Sequence, residues 1–314
     1  MSIVKRLSFL LLLLPGLVLA PATHATAQRA PVQHRVALPA GFHPVGVTTD
    51  GKKYLYVGSL DDGAIWRRNV RTGAERLLVE GKDPRAAAGI AFDPRCSRVV
   101  VAGGDTHRMR LHDAKTGERV RSYGFGVRSR YLRDVVVTPW GMFATDSNNP
   151  ELAVVRFLPG RQFRCDPPPR SSRTLRLHGD LVMKSGTNLN GIVRVRHSLV
   201  AVQSNTGQLF RINPTTGATR RIAVKGGKLR GGAGIESVGV RRIAVVRTAK
   251  NRISIVQLNR SLKVARVVRV NTARSLDRPT TAARIRGSLY VVNARSKVSP
   301  EPDTAYWLTR MKVS

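Results

Sequence analysis

The chain has 314 residues, with 54 Lys and Arg against 19 Asp and Glu, and a formal charge of +35. Its hydrophobic share of 42% supports a packed core and excludes a disordered basic tail. No apolar run beyond the N-terminus is long enough to cross a bilayer, which excludes a polytopic membrane protein.

The first segment reads as a secretory signal over residues 1–27: Lys5-Arg6 form its basic start, Leu7 to Ala20 its apolar stretch and Ala25-Thr26-Ala27 its cleavage site. Pro15-Gly16 interrupts the apolar stretch, which falls short of the ~20 residues of a spanning helix. Cleavage near Ala27 predicts a protein that is secreted or associated with the cell envelope, with no transmembrane span in the mature chain. Residues 28–314 are expected to form a single domain.

Within that domain a short motif opens successive segments: Val45-Gly46-Val47, Ala88-Gly89-Ile90, Arg133-Asp134-Val135, Asn190-Gly191-Ile192, Ala233-Gly234-Ile235 and Thr280-Thr281-Ala282. The middle positions are 43, 45, 57, 43 and 47 residues apart, the period of a four-stranded propeller blade. The long interval holds Arg164-Cys165-Asp166-Pro167-Pro168-Pro169, an insertion. Each unit repeats β-rich runs between turns, and Arg71-Thr72-Gly73, Lys115-Thr116-Gly117 and Thr215-Thr216-Gly217 mark the third turn in three of them. The last unit lacks a fourth strand, and His34-Arg35-Val36-Ala37-Leu38 is a spare strand able to fill its place. The expected fold is all-β: a six-bladed β-propeller of four-stranded blades, closed by the N-terminal strand in the last blade.

This topology puts Cys96 in the first turn of the second unit and Cys165 in the third turn of the third, on one face. A single disulfide and two free thiols are both compatible with that placement.

Four stretches carry a resemblance: Ala201-Val202-Gln203-Ser204-Asn205-Thr206-Gly207 with Leu209-Phe210-Arg211, Pro279-Thr280-Thr281-Ala282-Ala283, Leu289-Tyr290-Val291-Val292-Asn293-Ala294-Arg295 and Asp303-Thr304-Ala305-Tyr306-Trp307. They resemble the secreted bacterial branch of the SMP-30/gluconolactonase/LRE-like family of six-bladed propellers. The resemblance implies one divalent cation in a funnel, held by a Glu, an Asn and an Asp at the starts of innermost strands, where it polarises a lactone or ester carbonyl. Here Val45 stands at the Glu position, Asn190 at the Asn position and Ala233 at the Asp position, so Asn190 is the only family ligand retained. Arg133 occupies a further Asn position and would repel a dication.

Strand-end residues expected around the funnel are Arg133, Asn190, Gln203, Asn205, Arg247, Asn293 and Arg295, a donor-rich set suited to carboxylate, phosphate or sulfate. Asp134 and Asp146 are the acids expected near it, either as an acid and base pair or as structural groups, Asp134 paired with an arginine and Asp146 in an Asx-turn. His34, His43, His107, His112, His178 and His197 are dispersed, without zinc spacing.

Charge is concentrated between Leu181 and Leu276, where 19 basic residues face one acid, Glu236. Part of it falls on Leu262-Lys263-Val264-Ala265-Arg266-Val267-Val268-Arg269, read as an outer strand whose cations discourage edge pairing. An aromatic content of 5% and the lack of a recognition helix disfavour nucleic acid as a partner. The reading is therefore a monomeric, non-catalytic binding or scaffold module, without a cofactor, facing an anionic small molecule or a cell-envelope polyanion. The alternative is a divergent lactone or ester hydrolase that holds calcium or zinc through displaced ligands.

Overall fold

β-Branched runs closed by Gly, Asp and Asn turns become strands throughout the computed structural model, which describes residues 34–82, 84–126, 129–157, 165 and 171–312. The segment read as a secretory signal, to Ala27, and all of the insertion except Cys165 lie outside the described residues. Those residues fall within one compact unit, Val32–Ser314.

The N-terminal strand is β1 (His34–Ala37). The first sheet then runs β2 (Pro44–Thr49), β3 (Tyr54–Ser59), β4 (Ile65–Asn69) and β5 (Glu75–Val79) in order. The second runs β6 (Gly89–Asp93), β7 (Arg98–Ala102), β8 (Arg108–Asp113) and β9 (Arg119–Gly124). The third runs β10 (Leu132–Thr138), β11 (Gly141–Asp146), β12 (Glu151–Arg156) and β13 (Arg173–Arg176). After the short β14 (His178–Gly179), two further antiparallel runs share one nine-stranded sheet. One run is β15 (Leu189–Val195), β16 (Ser198–Gln203), β17 (Gln208–Ile212) and β18 (Ala218–Lys225). The other is β19 (Gly232–Gly239), β20 (Arg242–Arg247), β21 (Arg252–Leu258) and β22 (Val264–Thr272). A last sheet orders β1 beside β25 (Trp307–Lys312), then β24 (Ser288–Asn293) and β23 (Pro279–Ile285). The protein is thus all-β, a propeller-like arrangement of four-stranded blades. Its one described helical element is the single turn Thr248–Lys250.

Burial explains the strand compositions. Second strands such as β7 (RVVVA) and β11 (GMFATD) are buried along their whole length, because sheets cover both of their faces. Fourth strands such as β5 (ERLLV) and β18 (ATRRIAVK) are half exposed and carry the charge. The core lies between neighbouring sheets rather than at one centre: Val100, Met109 and Leu111 of the second pack with Leu132, Val135 and Met142 of the third. Each such side chain contributes roughly 1.5–3 kcal/mol on burial.

Two findings refine the expected edges. Strand β1 pairs antiparallel with β25, His34 opposite Arg310 and Ala37 opposite Trp307, so both ends of the described chain share one sheet. The cations of β22 do not keep its edge free, since Val264, Ala265 and Arg266 pair in parallel with Ala223, Val224 and Lys225 of β18. Lys and Arg side chains stand out of the plane of the sheet there, and their charge leaves the backbone groups available.

Candidate functional site

The six motif copies fall on β2, β6, β10, β15, β19 and β23, and side chains from all six strands line one channel of about 180 Å³. The middle residue of each copy sits where one innermost strand meets the next. A Cβ on Gly89 would lie 2.6 Å from Asp134 Cα, one on Gly191 2.3 Å from Ala233 O, and one on Gly234 2.8 Å from Thr281 Cα, so only glycine permits the approach. The two copies without glycine use a side chain instead. Asp134 Oδ2 accepts Ile192 N–H from β15 at 3.0 Å, and Thr281 Oγ1 accepts Val47 N–H from β2 at 3.1 Å. The irregular third and sixth copies are therefore hydrogen-bonded joints.

This assigns Asp134. Its Oδ1 accepts Val135 N–H at 2.9 Å, so both oxygens meet backbone donors and no arginine pairs with it among the described residues. Burial pushes its carboxyl up to about 7, against the downward pull of those two N–H groups. Glu236, two residues after Gly234 and in phase with it on β19, faces the same channel. Its Oε1 accepts Arg284 N–H from β23 at 3.1 Å, and burial, reinforced by the charge of Asp134, raises it to about 8. Sequence reasoning counted Glu236 only as the lone acid of a basic stretch. The strand period from Gly234 was the signal that would have placed it.

Between pH ~4.5 and ~8 the folded protein holds a proton on Glu236 that the unfolded chain has released, so this group lowers stability as pH rises. Asp134 acts with the same sign between ~4 and ~7. The substitution Glu236→Gln keeps the acceptor for Arg284 N–H and removes the titration. We expect its melting temperature to exceed that of the wild type at pH 9, by an amount equivalent to roughly 1–2 kcal/mol after screening by channel water, and the difference to vanish by pH 5. Parallel pH-dependent slopes for the two proteins would refute this.

Asp146 belongs to the structure in a different way. It is fully buried; its Oδ1 accepts N–H from Tyr131, Asn148 and Asn149, and its Oδ2 lies 3.2 Å from Arg130 Nη1. The Asx-turn expected there is present, and the two aspartates share no contact among the described bonds.

The channel end at which the innermost strands begin carries the donor-rich group. Arg133 lies over the Tyr131 ring, 4.1 Å from its centroid, and its Nε donates to Ser147 Oγ at 3.4 Å. Burial pulls its guanidinium below the usual arginine range. Ser147 Oγ donates to Leu189 O at 2.6 Å, and Asn190 Nδ2 donates to Ser204 Oγ at 3.0 Å. Arg133 and Asn190 are thus brought together through Ser147 and the start of β15. Arg247 Nε donates to Arg230 O at 3.4 Å and Arg230 Nε to Asn205 O at 3.0 Å, a second chain of donors. Asn205 also donates through Nδ2 to Ser185 O at 2.9 Å.

Gln203 and Asn293 do not join them. Both are buried, Gln203 donating to Val182 O and Asn188 Oδ1 and accepting from Thr206, Asn293 donating to Trp307 O and Thr309 Oγ1 and accepting from Asp277 N–H. Their amides close loops onto strands. Arg295 is held by Asp277 at 3.2 Å and by Ala305 O at 2.7 Å.

The cation implied by the resemblance does not fit the residues present. Val45 and Ala233 are buried and bring no side-chain oxygen, the Asn190 amide is bonded to Ser204, and no group of three His, Cys, Asp or Glu side chains suited to a metal occurs among the described residues.

No family model matches the chain, and no curated protein matches it in sequence. Solved structures match its fold. The major allergen Mala s 1 of Malassezia sympodialis aligns at TM-score 0.65 and 14% identity, over 89% of this chain and 96% of the allergen. A streptogramin B lyase aligns at 0.58 and 11%, over 83% and 80% of the two chains. The β-propeller domain of Cps50 (Swd1) from Myceliophthora thermophila aligns at 0.59 and 11%, over 89% and 100%. At these identities the likeness is one of fold: the chain is a β-propeller.

Proposed function

We propose that this chain is an exported six-bladed propeller of the SMP-30/gluconolactonase/LRE-like type that binds an anionic ligand at its channel mouth without catalysing a reaction on it. Six innermost strands around one channel support the blade count, with the nine-stranded sheet contributing two blades joined through β18 and β22. The disulfide between Cys96 and Cys165 supports an oxidising, extracytoplasmic setting.

One observation carries the binding reading. Arg133 makes a single long hydrogen bond, and its two terminal nitrogens have no hydrogen-bond partner among the described residues. The acids that could have opposed it, Asp134 and Asp146, are occupied by backbone donors and by Arg130. A half-buried guanidinium with free donors, beside Asn190 and hydroxyl groups, suits a carboxylate, sulfate or phosphate.

Titration calorimetry of the purified protein with glucuronate, sulfate and phosphate tests this. Arg133→Ala is expected to weaken the preferred anion about tenfold or more. Equal binding by variant and wild type would reject the mouth as the site. Stoichiometric calcium or zinc together with lactone or aryl-ester turnover would replace this reading by that of a metal-dependent hydrolase.

A further inference from the structure

A second arginine cluster lies away from the channel, at the same end of the strands, where the first sheet connects to the second. It surrounds a cavity of about 380 Å³ lined by Arg85, Arg108, Arg110 and Arg119 with the hydroxyl residues Thr106 and Ser122. Among the described residues no carboxylate lines this cavity, and none of the four arginines pairs with one.

Arg110 is the floor of the cluster. It is only 4% exposed, yet among the described residues only Nη2 of its N–H donor groups is matched, by Ala86 O at 2.5 Å. Two glycines make room for it: a Cβ on Gly63 would stand 3.0 Å from Nη2 and one on Gly103 3.0 Å from Nη1. Burial, and then the like charges of Arg85 and Arg119, lower its pKa to about 10. A buried cation held among other cations, with unused donors, is an arrangement that a bound oxyanion relieves.

We infer that this cavity is a binding site for a phosphate group carried as a monoester, distinct from the channel mouth. A dianion answers several guanidinium forks at once, which a carboxylate with one charge and two oxygens does not. The volume exceeds that of a lone tetrahedral anion and leaves space for the alcohol portion of the ester. At the wall Thr106 Oγ1 donates its proton to Gly103 O at 2.6 Å, whereas Ser122 Oγ, which accepts from Arg108 Nη1 at 3.4 Å, has a proton of its own to donate.

The test resolves this site from the mouth by arginine modification. The intact protein is treated with phenylglyoxal, with and without inorganic phosphate or glycerol 3-phosphate, and modified residues are mapped by peptide mass spectrometry. Phosphate is expected to slow modification of Arg85 and Arg119 at least fivefold. It is expected to leave Arg241, which belongs to an exposed arginine cluster at the opposite strand ends, within twofold. Arg119→Ala, at an exposed position, is expected to raise the phosphate concentration that half-protects Arg85 about tenfold. Arg110→Lys keeps the charge but loses the fork and is expected to do the same, with the thermal melt reporting that it is folded.

Stronger protection by glycerol 3-phosphate than by inorganic phosphate identifies the ester as ligand, and equal protection identifies the phosphate group alone as sufficient; both support the site. Protection by acetate at equal concentration, equal protection of Arg241, or no protection of Arg85 would overturn it. The outcome at Arg133, read in the same maps, reports on the mouth independently.

Discussion

Replacing Cys96 and Cys165 by alanine is expected to lower the unfolding free energy by about 4 kcal/mol, the chain-entropy value for a closed loop of this size. The cross-link joins residues 69 apart with Cα atoms 5.4 Å from one another, tying the β6–β7 turn to the segment that follows β12. It therefore holds the second sheet against the third. The same corner is fastened by Arg95, whose Nε reaches Asp93 at 2.9 Å and whose guanidinium lies 3.8 Å from the centre of the Phe157 ring. Those contacts persist in the double variant, so its fold is retained while its denatured chain gains freedom. The expected drop in melting temperature is roughly 10 °C, and dithiothreitol should reproduce it in the wild type but leave the variant unchanged. A loss under about 1 kcal/mol would mean that the bond does not constrain the unfolded chain.

Asp146→Ala is expected to cost about 3–5 kcal/mol, read as a lower urea midpoint at unchanged slope. The carboxylate is buried with Arg130, itself only 6% exposed, and that arginine also meets Glu151 at 2.7 Å. Removal of Asp146 leaves Arg130 with half of its counter-charge and strips the N–H groups of Tyr131, Asn148 and Asn149 of their acceptor. Asp146→Asn retains an oxygen for those donors and should cost about half as much. Were Asp146 instead an exposed catalytic acid, truncation would be close to neutral for stability, and a cost below about 1 kcal/mol would remove the structural assignment.

The fold was legible in the sequence because a propeller repeats one local problem. Each unit needs a close approach at its innermost strand and three turns, and those requirements leave Gly46, Gly89, Gly191 and Gly234 and the Thr-Gly turns at a period near 45 residues. The spare strand His34–Leu38 was visible for the same reason, as an unpaired element beside a unit lacking one. The candidate site was less legible. Arg133 and Asn190 could be placed at the mouth because they precede the motif's middle position. Gln203 and Asn293 stand at strand ends just as Asn205 does, but whether such an amide turns to solvent or closes a loop depends on partners far along the chain, such as Val182 and Trp307.

By itself, the sequence determined the all-β repeat, the absence of side-chain oxygens at Val45 and Ala233, and the excess of arginine. These are properties of residue type and spacing. Only the tertiary structure decided which acids act as joints between strands, that Glu236 shares a channel with Asp134, and that Arg85, Arg108, Arg110 and Arg119 converge on one cavity. Burial and convergence arise where separate sheets meet, and both the strength of a charge and the availability of a donor follow from that meeting rather than from the residue alone.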